Sequence, residues 1–203
     1  MSTLAQEIPS PLEQEPSQKE PSYRIEVAHA LPRHAHAVQK IYQDGRVEAQ
    51  PHGDLTAEHV IAEYRDPEST MEGQTTKQWE DMINGLGGNA VFASFTVEEP
   101  EKRIKKRGED VPQGIVRASE VNGELYLKNL YVKSDERGKG HGVALFRSVQ
   151  AKFGGREFKI LVAAHNDAMD FYSKLGCIVT GEHRYEMQGV MVRQIEMTSP
   201  SVK

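Results

Sequence analysis

Leu125-Tyr126-Leu127-Lys128-Asn129-Leu130-Tyr131-Val132 leads, through residues 133–136, into Arg137-Gly138-Lys139-Gly140-His141-Gly142. The first segment is apolar on both faces, as a strand covered on both sides must be. Beyond the second, Gly142, Phe146, Val149 and Phe153 recur at helical spacing. Three alternating glycines, with Arg137 and Lys139 beside them, therefore sit where a strand gives way to a helix. Without Cβ atoms, several backbone N–H groups can converge on one point there. The helix N-terminus behind them adds a partial positive charge. The stretch predicts a pyrophosphate cradle fed by a central strand.

The rest of the chain supplies the elements around it. Asn122-Gly123 is a tight hairpin signal joining strands at 113–121 and 124–133. Upstream, 23–30 alternates as a strand. Pro32, Ala35, Val38, Ile41 and Tyr42 have helical spacing, with a proline near the start. Thr56 is an N-cap candidate for a helix over 56–64. A third helix over 76–86 closes at Gly87-Gly88, before a strand at 90–97. Downstream lie a buried-type strand at 158–164, a helix at 167–175 ended by Gly176, and strands at 178–182 and 190–197. The order predicts a mixed α/β (α+β) fold in one domain over 22–198, with a short tail at 199–203. Residues 1–21, rich in Pro, Ser, Glu and Gln, have too little apolar surface to offset ordering entropy and read as a disordered tail. A polar island at 98–112, basic over 102–107, reads as a solvated loop or a contact for an anionic partner.

Composition limits what such a domain can do. At 203 residues and 22.8 kDa the chain suits one domain plus a tail. No apolar run approaches the ~20 residues of a membrane span, and the N-terminus lacks the basic-then-apolar order of a signal peptide. A net charge of -5 argues against nucleic-acid binding, which needs a basic surface. The single cysteine, Cys177, excludes an internal disulfide and a multi-cysteine zinc site. Together these point to the cytoplasm, to no membrane and to no metal.

Two familiar phosphate loops fail on spacing. A Walker-type loop needs Ser or Thr after its Gly-Lys, whereas Lys139 is followed by Gly140; a dinucleotide fingerprint needs a glycine where Val143 stands. The pattern Arg-x-x-Gly-x-Gly after a Leu-Tyr-Val strand instead resembles the acyl-CoA loop of the GNAT N-acetyltransferase superfamily. Asn166-Asp-Ala168-Met-Asp-Phe171-Tyr172-Ser-Lys-Leu-Gly176 resembles that family's Asn-x-x-Ala-x-x-Phe-Tyr helix, at the expected distance along the chain. The resemblance implies a mostly antiparallel, twisted sheet flanked by helices and an acetyl-CoA cosubstrate.

It also implies roles. The backbone of Leu130, Tyr131 and Val132 would pair with the pantetheine arm as an extra strand does. The amides of Arg137, Gly138, Lys139, Gly140, His141 and Gly142 would hold the pyrophosphate, with Arg137 and Lys139 either assisting or simply solvated. Asn166 would contact coenzyme A, cap its helix, or do both. Tyr172 would protonate the departing thiolate, unless it is plain packing. Cys177 reads as a small buried hydrophobe. Where some members carry a basic glutamate this chain has Tyr126 and Leu161. The candidates left are Glu124, which we single out, and Glu120, Glu98, His165 and His183. The resemblance thus implies an acetyl-CoA-dependent N-acetyltransferase acting on a primary amine by direct attack in a ternary complex, or a non-catalytic acyl-CoA-binding module on the same fold. The acceptor would be shaped by 32–86 and by a loop at 183–189. The acids within 32–86 favour a cationic acceptor or simply a solvated helix face. The chain would act as a monomer or as a homodimer paired through its final strand.

Overall fold

β1 (Tyr23–His29) alternates half-buried and exposed residues, as a strand at a sheet edge does. Pro32 then opens a single tight turn that runs directly into α1 (Ala35–Ala49). Apolar spacing predicted this helix only as far as Tyr42. It continues because its buried stripe is carried on by Gly45 and Arg46, residue types that an apolar count passes over. α2 (Ala57–Arg65) and α3 (Thr76–Ile83) follow. The start of α3 is a capping box: Gln78 N donates to Thr75 Oγ1, and Thr75 N donates to Gln78 Oε1, each at 3.1 Å. The computed structural model describes residues 23–51, 53–66, 72–98 and 111–202, with the side chain of Glu98 excepted. The expected tail at 1–21 and the basic stretch at 102–107 lie outside the described residues.

Six further strands complete the sheet: β2 (Asn89–Glu98), β3 (Gly114–Val121), β4 (Glu124–Val132), then, after α4 (His141–Lys152), β5 (Lys159–Ala163), and, after α5 (Ala168–Lys174), the hairpin of β6 (Ile178–Met187) and β7 (Val190–Thr198). Together with β1 they form one seven-stranded sheet in the order β1-β2-β3-β4-β5-β7-β6. Every pairing is antiparallel except β4 with β5. The β3–β4 turn has Asn122 at φ 52° and Gly123 at φ 82°, the left-handed pair that the Asn-Gly signal predicts.

Three expectations change at the C-terminal end. β6 continues to Met187, so most of the loop expected at 183–189 is strand, closed by a two-residue turn at Gln188-Gly189. His183 to Glu186 read as loop because they are polar, but β6 is an edge strand, and edges carry such residues. β7 lies between β5 and β6, so the final strand has no free edge to offer a second subunit. Finally, the tail expected at 199–203 is docked as far as Val202. Ser199 N donates to Phe158 O at 3.0 Å, Phe158 N donates to Ser199 Oγ at 3.0 Å, and Val202 N donates to Gly155 O at 2.9 Å.

The helices cover both faces. α4 and α5 pack on one face through Leu145, Phe146, Val149 and Tyr172, against Val116, Leu127, Phe158 and Ile160. α1 and α3 cover the other through Val38, Tyr42 and Trp79, against Val91 and Ile115. A smaller apolar cluster joins Val60 of α2 to Met187 and Val192 of the hairpin. Each fully buried aliphatic or phenyl side chain is worth roughly 1.5–3 kcal/mol. These clusters hold the two layers on a sheet that is itself split in the middle.

Candidate active site

The split lies between β4 and β5. Only Tyr126 with Lys159 and Leu127 with Ile160 are paired; beyond them the two parallel strands part. The cause is visible on β4, where the register with β3 steps from Asn129 opposite Arg117 to Leu127 opposite Ala118, leaving Lys128 as a bulge that bends the strand. The Arg117 guanidinium braces this bulge from the α3 side. Its Nε donates to Asn129 Oδ1 at 2.8 Å, and one terminal nitrogen donates to Glu72 Oε2 at 2.7 Å.

A cavity of about 230 Å³ fills the gap. β4 contributes Leu127 to Tyr131, β5 contributes Ile160 to Ala163, and Asn166 and Tyr172 close one side. Leu130 and Tyr131, expected along the pantetheine arm, therefore line a real slot. A second cavity of about 350 Å³ adjoins it, sharing Leu127, Lys128, Leu161 and Gln194.

The glycine turn follows the open end of β4. Gly138 at φ 77° and Gly140 at φ 100° occupy backbone conformations that a side chain disfavours. Gly140 is the N-cap of α4 and no side chain caps the helix there, leaving its first N–H groups available to an anion. Gly142 serves a different need: a Cβ on it would stand 3.3 Å from the Phe171 ring of α5. The motif's third glycine thus sets the close approach of α4 to α5.

The basic side chains of the turn are held by carboxylates. Arg137 pairs with Glu48 of α1, and its Nε donates to Val132 O at 3.2 Å. Lys139 Nζ lies 3.1 Å from Glu136. The His141 imidazole faces inward, with Nδ1 3.0 Å from Ser94 Oγ and Nε2 3.1 Å from Thr96 Oγ1. Burial lowers its pKa, against the pull of Glu136, so the ring is a neutral peg fixing the start of α4 to β2, and only its backbone N–H can face a phosphate.

Asn166 ties two helices together. Its Oδ1 accepts from Ala168 N at 2.8 Å at the start of α5, and its Nδ2 donates to Ala49 O at 3.1 Å at the end of α1. Tyr172 is 5% exposed, edge-on to Phe171 at 5.1 Å, and lines the cavity. Burial is the main cause that pushes its pKa well above the ordinary phenol value. A phenol so placed is protonated at neutral pH. Cys177 is buried in the adjoining core, with its thiol pKa pushed up to about 11 by burial, which makes it a poor nucleophile.

The candidate bases do not gather at the cavity. Glu124 is exposed at the closed end of the split, bonded to Lys159 Nζ and Tyr126 Oη at 2.7 Å each; both bonds lower its pKa. Glu120 lies at the exposed end of β3. His183 points its Nε2 at Glu196, 3.0 Å away. His165 is in the turn after β5 and lines neither cavity. The side chain of Glu98 is outside the described residues. Of the acids of the helical region, Asp44 pairs with Lys40, Glu80 and Asp81 pair with Lys77, and Glu72 is held by Arg117 and Lys128 at the edge of the second cavity.

What lines the far side of the cavity is a set of aromatic side chains and one arginine. Tyr42 and Arg46 of α1 and Tyr185 of β6 all reach it. Arg46 Nη1 donates to Tyr42 Oη at 3.2 Å and Nε to Gln50 Oε1 at 2.8 Å, with the guanidinium over the Tyr42 and Tyr64 rings. Burial opposes its charge, but the interactions with Tyr42 and Tyr64 outweigh it, and its pKa is raised. Gly45 makes room for this wall, since a Cβ on it would overlap the Tyr131 ring. Gly45, Arg46 and Tyr185 did not stand out in the sequence. The available signal was Tyr42, Gly45 and Arg46 at helical spacing, a buried stripe disguised by a glycine and a charge.

Among the described residues no helix is long and apolar enough to cross a membrane, and no group of three or more His, Cys, Asp or Glu is placed to hold a metal ion.

A bulged central strand, a split sheet and an uncapped glycine turn make up the candidate site, and comparison with known proteins gives the class of protein that carries it. Residues 68–199 match the family described as Acetyltransferase (GNAT) domain. The chain belongs to this acetyltransferase family. No curated protein sequence matches it. Among solved structures it is similar to the PaiA N-acetyltransferase of Thermoplasma acidophilum in complex with coenzyme A, at 14% identity and a TM-score of 0.62 over 87% of this chain and 99% of that one. A GCN5-related N-acetyltransferase of Rhodopseudomonas palustris gives 17% identity and a TM-score of 0.56, over 92% and 99%. The ribosomal-protein-S18-alanine N-acetyltransferase of Escherichia coli gives 17% and 0.53, over 89% and 96%. At these identities the likeness establishes the fold.

Proposed function

We propose that this chain transfers the acetyl group of acetyl-CoA to a primary amine of a small molecule or a peptide, by direct attack within a ternary complex. The observation that carries the reading is the split between β4 and β5, because it opens a cavity, with Tyr172 on its wall, beside the strand that leads into the glycine turn. The pantetheine arm lies along the backbone of Leu130, Tyr131 and Val132. The pyrophosphate takes the N–H groups of the turn from Arg137 to Gly142, with Asn166 at the rim. The amine attacks the thioester carbonyl, the carbon–sulfur bond breaks, and Tyr172 protonates the sulfur. Attack needs a neutral amine, a positioned thioester and N–H donors for the oxyanion; Glu124 is committed to Lys159 and takes no part. One buried cysteine suits the cytoplasm.

The test is calorimetric titration with coenzyme A, combined with thiol release from acetyl-CoA in the presence of benzylamine, L-phenylalaninamide or spermidine. Tyr172→Phe should leave coenzyme A affinity unchanged and lower kcat by about 10²-fold. Coenzyme A binding without thiol release on any amine, with Tyr172→Phe changing nothing, would sink the transferase reading in favour of a binding module.

A further inference from the structure

The walls of the two cavities bear on which amines the site can use, provided the transferase reading above holds. Among the described residues the charged side chains lining them are all cationic: Arg46, Arg117 and Lys128. The surrounding carboxylates line neither cavity. Glu72 is shared, 2.7 Å from Arg117 and 3.6 Å from Lys128, so one acid serves two cations. Glu196 is turned towards β6, where His183 and Thr180 bond it. Glu63 accepts from Gln188. The remaining titratable groups on the walls are phenols. Tyr131, Tyr172 and Tyr185 have pKa values raised chiefly by burial, and Tyr42 and Tyr126 complete the set.

Two consequences follow. An ammonium is disfavoured in such a pocket, since like charges and low dielectric both oppose its charge. Nor, among the described residues, does a carboxylate or imidazole line either cavity to take the ammonium's proton. The amine must therefore shed it to water and arrive neutral. At neutral pH that requirement discriminates strongly. An α-amine beside a carbonyl carbon titrates near 7.7–8.0 and a lysine-type alkylamine near 10.4, so their neutral fractions differ by about two orders of magnitude. The second cavity adds a preference for what the amine is attached to, because Val121, Tyr126 and Leu161 give it an apolar lining at the edge of the split.

We propose that the acceptor is an α-amine adjoining a carbonyl carbon and carrying an apolar side chain, as in a peptide N-terminus or an amino-acid amide, and that lysine side chains and polyamines are excluded. The neutral nitrogen adds to the thioester carbonyl, and the carbon–sulfur bond breaks. The nitrogen then loses one proton to water, and the thiolate gains one from Tyr172, which is reprotonated by water. The products are the amide and free coenzyme A thiol.

The experiment measures thiol release from acetyl-CoA with four acceptors: L-phenylalaninamide, the peptide amide Phe-Gly-Ser-Gly-NH2, Nα-acetyl-lysine amide and spermidine, each from pH 6.5 to 9.5. At pH 7.5 the two α-amines should exceed the two alkylamines in kcat/KM by at least about 100-fold. The comparison between amide and peptide separates a small acceptor from a chain terminus. The rise of kcat/KM with pH should move with the pKa of whichever amine is supplied. Lys128→Glu should narrow the preference for phenylalaninamide over spermidine about tenfold or more, by giving the pocket an acid that tolerates an ammonium. Faster turnover of spermidine or the lysine amide overturns the proposal while leaving the transferase reading intact. So does an ascending limb whose midpoint is the same for every amine, since that reports a base on the enzyme. Coenzyme A binding with no thiol release from any acceptor removes the transferase reading itself.

Discussion

On the α4–α5 side of the sheet, a few backbone positions do most of the work. Gly138 and Gly140 bend the chain, an uncapped helix start presents N–H groups, and Gly142 lets α4 lie against Phe171. On the α1–α3 side the wall is built from side chains that come from distant parts of the sequence: Tyr42 and Arg46 from one helix, Tyr185 from the last hairpin, Arg117 and Lys128 from the middle of the sheet. The first half needs particular backbone geometry, which few residues allow. The second needs only a shape and a charge, which many combinations supply. On the proposed reading the first half holds the donor and the second the acceptor, so such a site can keep one cosubstrate while changing what it acetylates.

The sharpest way to break this contrast is to weaken the acceptor side alone. Trp79 of α3 is fully buried, packs edge-on to Tyr42 at 5.3 Å, and donates from Nε1 to Gly73 O at 3.0 Å. Trp79→Ala should cost about 3–5 kcal/mol of stability in denaturant unfolding. Of the protein that remains folded, coenzyme A affinity by calorimetry should be close to wild type and the KM for the acceptor raised. Equal loss of both would mean that the two halves are not separable.

A smaller effect should come from the donor side. Gly140→Ala forces a Cβ into a left-handed conformation, a cost of roughly 1–2 kcal/mol. Part of that strain falls on the turn itself, so coenzyme A should bind about tenfold more weakly while the KM for the amine stays unchanged. A variant with unaltered coenzyme A affinity would show that the turn does not hold the cofactor.

The two halves also differ in how far the sequence could be read. Gly138, Gly140 and Gly142 were legible because backbone constraints leave a local signature, three glycines at fixed spacing after an apolar strand. The sheet's element order followed from periodicity for the same reason. Arg46 and Tyr185 were not legible, because their meaning depends on meeting across 139 positions of chain, and the second half of β6, residues 183–187, read as a loop because edge strands carry polar residues. The Arg117–Asn129 brace was hidden too, since it depends on a bulge at Lys128 that no local pattern announces.

His141 offers a gentler handle on the joint between the halves. Burial lowers its pKa, so the unfolded chain binds more protons than the folded one just below the ordinary histidine value of about 6.5. The stability it confers is complete above that value and is lost as pH falls from it towards the lower folded pKa. Melting temperatures between pH 5 and 8 should therefore drop on acidification in the wild type, and less steeply in His141→Gln. Parallel curves would show that the buried ring does not carry this dependence.

The smallest effect expected is at Glu124. If it were the base, Glu124→Gln would remove a proton acceptor and lower kcat by 10²-fold or more. Its surroundings argue otherwise. Lys159 and Tyr126 occupy the carboxylate, both bonds lower its pKa, and it lies beyond the last paired residues of β4 and β5, outside both cavities. Lowered proton affinity makes a carboxylate a worse acceptor for an ammonium proton, and solvent exposure makes its ion pair cheap to lose. Glu124→Gln should accordingly leave kcat and its pH profile where they are in the wild type. Because Lys159 would be released, a slight strengthening of the positive field near Tyr126 should leave discrimination against spermidine intact or increase it. A hundredfold fall in kcat would instead place a base on the closed end of the split and require the acceptor to approach from there.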